Sequence, residues 1–221
     1  MVVLIPLCLV LAGVFLWREF RKSYIQAVVL KGLASVCFVI FGALCSPGTH
    51  TANLIVTGLI LGCIADVLLN LRMVFKEQGQ KIFLFGILVF LSGHILCLAA
   101  VFPLAKHPVL CVVIGILLTA LLMIWIFQRI TAKKAFKIFG VIYIGAIVLL
   151  NCVAVSNLIT SPSVFTAVFA AGSLLFLISD IVLILNTFGP ESRFRLRITN
   201  ISLYYLGQIL IALSLLFHGA V

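Results

Sequence analysis

Charge is scarce in this sequence, and negative charge scarcest of all. Only five of 221 residues are Asp or Glu, and charged residues make up 9% of the chain against 65% hydrophobic. Soluble domains carry about 25% charged and 45–50% apolar residues, so this composition excludes a water-exposed globular surface. Cysteine pairing is missing as well. The seven cysteines (Cys8, Cys37, Cys45, Cys63, Cys97, Cys111 and Cys152) are odd in number, form no CxxC and sit in apolar runs. They read as small core residues, not as disulfides or metal ligands. His50, His107 and His218 are too scattered for a metal-site signature, so neither metal nor cofactor is expected.

What is present is a series of apolar runs separated by charged or turn-forming stretches. Eight candidate spans lie at roughly 2–17, 25–44, 53–71, 82–102, 109–127, 138–157, 164–185 and 199–217. Each is close to the ~20 residues a bilayer requires. The first lacks the basic start and small-residue cleavage site of a signal peptide, and so counts as a span. The expected fold is all-α: a polytopic membrane helical bundle of eight transmembrane helices, one transmembrane domain over 1–221.

The net charge of +10 invites a nucleic-acid reading, but its distribution points to topology. "REFRK", "RMVFKEQGQK", "QRITAKKAFK" and "GPESRFRLR", the odd-numbered loops, hold 13 of the 15 Lys and Arg residues. The alternate loops "CSPGTH", "PLAKHP" and "LITSPS" hold only Lys106. By the positive-inside rule the odd loops are cytoplasmic and both termini face outward. The expected setting is a bacterial inner membrane, with membrane lipids as neighbours and no nucleic-acid partner.

A candidate four-plus-four repeat is also visible. "GLILGCIADVLL" (58–69) resembles "GSLLFLISDIVL" (172–183), aligning Gly58 with Gly172 and Asp66 with Asp180. At the same offset of 114, "SGHILCLA" (92–99) matches "LGQILIAL" (206–213), aligning His94 with Gln208.

Glu19, Glu77 and Glu191 fall in loops, which leaves Asp66 and Asp180 as the carboxylates inside spans and Lys31 as the clear intramembrane cation. Each such residue costs roughly 2.5–3.5 kcal/mol at a helix centre on insertion scales, so it faces the bundle interior and usually serves a function. All three fall in the cytoplasmic half of the bilayer. Helical spacing adds neighbours: Gly62, Asp66 and Asn70 on one face of span three, and Asn200, Tyr204 and Gln208 on span eight. Lys31 aligns with Ser35, and Tyr143 with Asn151, while His94 forms the deep end. The outer half has no comparable lining. This pattern suggests a blind polar pocket open toward the cytoplasm or inner leaflet, whereas a pore or alternating-access transporter calls for polar groups along both halves.

These residues also carry a resemblance. "KGLASVCF", "GCIADVLLN", "FLFGILVFLSGHILCLAAVF", "AAGSLLFLISDIVLI" and "YYLGQILIA" resemble, in order and spacing, the motifs of the YhhN family of membrane proteins, which includes the lysoplasmalogenases. Gly32, Ala65 and Cys97 depart from the residues that family commonly has at those places (Pro, Gly and an aromatic). The resemblance implies an eight-span α-helical enzyme that hydrolyses the vinyl ether of a lysoplasmalogen, a lysophospholipid, without a metal. The products would be a fatty aldehyde and a glycerophospho-ethanolamine or -choline.

Vinyl ether hydrolysis begins with protonation of the carbon β to oxygen, and water then attacks the oxocarbenium ion. One carboxylic acid and one carboxylate in a low-dielectric site suit that sequence of steps. Asp66 and Asp180 are the expected acid/base pair. Lys31, Asn70, His94, Asn200, Tyr204 and Gln208 are expected to support substrate and water, and Arg72, Arg195 or Arg197 to meet the phosphate. Two other readings stay open: a proton- or cation-coupled transporter, and a non-catalytic lysolipid-binding bundle. An alternative is that Asp66, Asp180 and Lys31 form a structural ion-pair cluster that fixes helix register.

Overall fold

A chain this apolar has few ways to satisfy its backbone amides away from water, and the self-bonded α-helix is the simplest. The computed structural model takes that form. It describes residue 1 and residues 3–219; Val2, the expected start of the first span, and the last two residues of the expected domain lie outside the described residues. Eight α-helices follow one another, with no strand among the described residues: α1 (Leu4–Phe20), α2 (Tyr24–Cys45), α3 (His50–Leu71), α4 (Gly79–Val101), α5 (Pro108–Phe127), α6 (Lys134–Thr160), α7 (Val164–Phe188) and α8 (Phe194–Ser214). Short 3-10 turns precede α4 and follow α4 and α8.

The expected runs fall on these helices, but several helices outlast their apolar stretch. α6 starts at Lys134 rather than 138, α8 at Phe194 rather than 199, and α1 continues to Phe20 rather than 17. Hydropathy reports the part of a helix suited to hydrocarbon, whereas the helix itself runs on until a cap or a breaker stops it. As a result Arg195 and Arg197 belong to the first turn of α8, and Glu19 belongs to the last turn of α1 instead of a loop.

The stops are local chemistry. Thr49 Oγ1 accepts the Ala52 amide at 3.2 Å to open α3, and Ser163 with Thr166 forms a reciprocal capping box at the start of α7. α5 opens on Pro108, whose missing N–H would be unbonded there anyway. α1 closes where Lys22 adopts a left-handed φ of 59° and Ser23 N bonds back to Arg18 O at 3.0 Å.

Seven of the helices, α2 to α8, are long and apolar enough to cross a membrane. The seventeen residues of α1 rise about 25 Å, less than the roughly 30 Å of a hydrocarbon core. The chain divides into two compact units, Met1–Cys97 with Ile211–Val221, and Leu98–Leu210. In the first, α1 packs on α2 and α2 on α3; in the second, α5 packs on α6 and α6 on α7.

Two close helix crossings depend on glycine. A Cβ on Gly58 or on Gly93 would come within 3.0 Å of the other residue's carbonyl oxygen, bringing α3 against α4. A Cβ on Gly207 would lie 2.9 Å from Gly172 O and 3.1 Å from Phe176 N, bringing α8 against α7. Small residues allow this approach where lipid offers helices no hydrophobic drive to associate. The large apolar side chains meanwhile point outward. On α2, Ile25, Val29, Leu33, Val36, Ile40 and Leu44 make an exposed stripe, while Lys31 and Ser35 are buried. That inversion of the soluble pattern is what a lipid-facing helix requires.

Gly207→Ala is therefore expected to destabilise the protein by about 1–3 kcal/mol, because the atoms it meets are backbone. Gly13→Ala, where nothing lies within 4 Å of the new methyl, is expected to be neutral or stabilising. Thermal unfolding of both purified variants in the same detergent checks the contrast.

Candidate functional site

The first unit gathers charge at the α2–α3 interface. Lys31 and Ser35 are one turn apart on α2, as Asp66 and Asn70 are on α3, so each pair presents one helix face. Lys31 Nζ meets Asp66 Oδ1 at 2.8 Å, and Ser35 Oγ donates to Asp66 Oδ2 at 2.6 Å. Lys31 Nζ also donates to Asn70 Oδ1 at 3.5 Å. The ion pair is almost dry, with Lys31 4% and Asp66 1% exposed. The Phe15 ring of α1 lies 5.7 Å from Nζ, a cation–π arrangement. His94 on α4 is buried, and its ring packs against Phe90 at 5.5 Å between centroids.

In the second unit a phenol bonds to the buried carboxylate. Tyr143 Oη on α6 donates to Asp180 Oδ2 on α7 at 2.7 Å. Further along the same helix pair, Ser173 Oγ donates to Asn151 Oδ1 at 3.1 Å and Asn151 Nδ2 to Ser173 O at 3.2 Å. Asn200 on α8 bonds reciprocally with Ser179: its Nδ2 donates to Ser179 O at 2.9 Å, and Ser179 Oγ donates to Asn200 O at 3.0 Å. Gln208 Nε2 donates to Tyr204 Oη at 3.5 Å, and Tyr204 stands edge-on to Phe176.

Of the residues expected from sequence, Lys31, Asp66 and Asn70 come together in one cluster. Asn200 ties α8 to α7, and Tyr204 and Gln208 share the expected stripe. Asp180 lies in the other compact unit from Asp66. Arg72 stacks over Phe83 at 4.3 Å, Arg197 reaches Asn200 Oδ1 at 3.4 Å, and Arg195 is exposed. Among the described residues no three His, Cys, Asp or Glu side chains group as a metal site.

Sequence reasoning left outside the candidate site several residues that bond directly to its members, among them Ser35, Tyr143, Glu19 and Ser179. Ser35 and Tyr143 were visible at helical spacing, but a hydroxyl carries no mark that its partner is a carboxylate. Glu19 accepts from Asn70 Nδ2 at 3.4 Å; its signal was the helical pattern that runs on through "LWREF".

A model of the YhhN family matches residues 26–215 of this chain. No curated protein and no solved structure matches it.

The ion pair carries a stability consequence. Lys31→Met leaves Asp66 buried without its counter-charge, and is expected to cost about 3–5 kcal/mol. Adding Asp66→Asn removes the orphaned charge while keeping an acceptor for Ser35, so the double variant recovers most of the loss. Reversible unfolding in mixed micelles measures both.

Proposed function

The chain belongs to the YhhN family, and from that premise we propose that it is an integral membrane ether hydrolase of the lysoplasmalogenase type. The substrate is an alkenyl lysophospholipid with an ethanolamine or choline headgroup, and the products are a fatty aldehyde and the glycerophospho-base. The observation that carries the reading is a pair of carboxylates, each buried in an apolar helix, one beside an ammonium and the other beside a phenol. Acid/base division of labour needs two carboxyl groups in unlike surroundings.

In the proposed reaction one of Asp66 and Asp180 gives a proton to the carbon β to the ether oxygen. The electron pair of the alkene forms the new C–H bond, and the oxygen takes up the positive charge as an oxocarbenium ion. The other carboxylate steadies that cation and accepts a proton from the attacking water. The hemiacetal then collapses: its hydroxyl proton passes to the acid that began the reaction, the C–O bond to glycerol breaks, and the glycerol oxygen takes the proton held by the other carboxyl, so that one water is consumed overall. Lys31 and Asn70 hold Asp66 in place. His94, Asn200, Tyr204 and Gln208 support substrate and water, and Arg72, Arg195 and Arg197 meet the phosphate.

The same reading extends to topology. α1 is an eighth span, the basic loops are cytoplasmic, and the fold is a duplicated four-helix unit. The support is a common offset of 114 that relates the caps Thr49 and Ser163, the crossings Gly58/Gly93 and Gly172/Gly207, and Asp66 and Asp180.

Purified protein should cleave an alkenyl lysolipid and leave the matching alkyl and acyl compounds intact. Asp66→Asn and Asp180→Asn should each lower aldehyde release by about 10²–10⁴-fold, the usual reach of acid/base catalysis. Near-normal turnover in both variants would overturn the residue roles, and cleavage of the acyl compound alone would overturn the reaction type.

A further inference from the structure

We propose that Glu19 is a positioning residue of the Lys31–Asp66 cluster, acting through the side-chain amide of Asn70; its effect on turnover rests on the hydrolase reading. Three helices meet in the chain of contacts. Glu19 Oε2 on α1 accepts from Asn70 Nδ2 on α3 at 3.4 Å. Asn70 Oδ1 accepts from Lys31 Nζ on α2 at 3.5 Å. Lys31 Nζ then pairs with Asp66 Oδ1 at 2.8 Å.

The amide is the element that needs help. Its two ends are nearly equal in size and opposite in polarity, so packing alone does not decide which faces Lys31. A carboxylate on one side and an ammonium on the other decide it. The reversed amide would set its oxygen against Glu19 and its NH2 against Lys31, which is unfavourable at both ends. The acceptor oxygen of Glu19 therefore keeps the Asn70 carbonyl on the ammonium, and the ammonium on Asp66. Both contacts are long; the one to Lys31 is buried and the one to Glu19 part-buried, and polar interactions are strengthened where the local dielectric is low. α1 acts on Lys31 twice, because Phe15, one turn before Glu19, puts its ring beside the same ammonium. The helix outside the expected site thus sets the geometry of the cation inside it.

Two measurements on the purified full-length chain test this. The first does not depend on any activity: amine acylation by N-hydroxysuccinimidyl acetate, read at Lys31 by mass spectrometry. Lys31 should label slowly in the native protein and in Glu19→Gln, whose side-chain oxygen still accepts from Asn70, and several-fold faster in Glu19→Ala. Equal labelling of Lys31 in all three proteins overturns the positioning role. The second measurement is turnover of an alkenyl lysolipid. Glu19→Ala should lower kcat on the order of 10- to 100-fold, the cost of a misplaced catalytic geometry, with KM little changed, and Glu19→Gln should restore most of it. In the Asn70→Ala background, adding Glu19→Ala should cost nothing further, since the residue acts through Asn70. A full additional loss there overturns the proposal. Faster Lys31 labelling in Glu19→Ala with no turnover by the native protein would count against the hydrolase reading and leave the positioning role standing. If Glu19→Ala does not fold, Glu19→Gln against Asn70→Ala carries the labelling comparison: only the second should expose Lys31.

Discussion

The Lys31–Asp66 ion pair is the constraint around which the first unit is arranged. Two opposite charges buried together repay their desolvation only when their geometry is good and their remaining hydrogen-bonding capacity is filled. Both conditions hold. Ser35 takes the second oxygen of Asp66, and Asn70 takes a further proton of Lys31. The donors and acceptors sit one turn apart on each helix, so the contact is a two-by-two ladder. A slide of α2 along α3 by one turn would leave much of the apolar packing intact and would break the ladder. Register in a lipid-facing bundle is weakly set by Leu, Ile and Val, and a buried polar ladder sets it strongly.

The second unit meets the same problem with a phenol and side-chain amides. Asp180 is held by a phenol, and the neighbouring contacts are amide to hydroxyl and amide to backbone. Asn200 reaches the backbone of Ser179 on a helix pair that Gly172 and Gly207 allow to approach closely. Glycine and polar contact are thus two parts of one device: the close crossing brings the backbones within reach, and the amide then fixes their register.

Much of this was legible in the sequence, and the illegible parts have physical reasons. A single carboxylate in a run such as "FLISDIVLIL" stands out because nothing else there is charged, so Asp66, Asp180 and Lys31 could be found by inspection. Their partners could not. Tyr143 and Ser35 look like ordinary helix residues, and only the packing of α6 on α7 and α2 on α3 gives their hydroxyls a carboxylate to bond. Glu19 was hidden for the opposite reason, being embedded among basic residues that marked its stretch as a loop. Helix ends were misjudged where composition and backbone disagree: α6 and α8 begin in charged sequence that hydropathy assigns to water. The caps at Thr49 and Ser163 were readable in principle, since each is a hydroxyl residue opening an apolar run.

Under the proposed duplication the differences between the halves matter more than the likeness. The offset that aligns Asp66 with Asp180 also aligns Gly62 with Phe176. Where α3 has no side chain, α7 carries a ring that packs on Tyr204, which in turn packs on Tyr205. One turn from each acid, then, one half is left small and the other is filled with aromatic surface. On α2 and α6 the lysine at position 31 aligns with Gly145, so the lysine that pairs with Asp66 has no counterpart at the matching place on α6. Two identical halves would give two identical carboxyl groups, each as ready as the other to hold a proton. A lysine on α2 without a counterpart on α6, a phenol on α6 and a ring in place of one glycine make their surroundings unequal, and inequality between two acids is what the proposed acid/base hydrolysis of an ether requires.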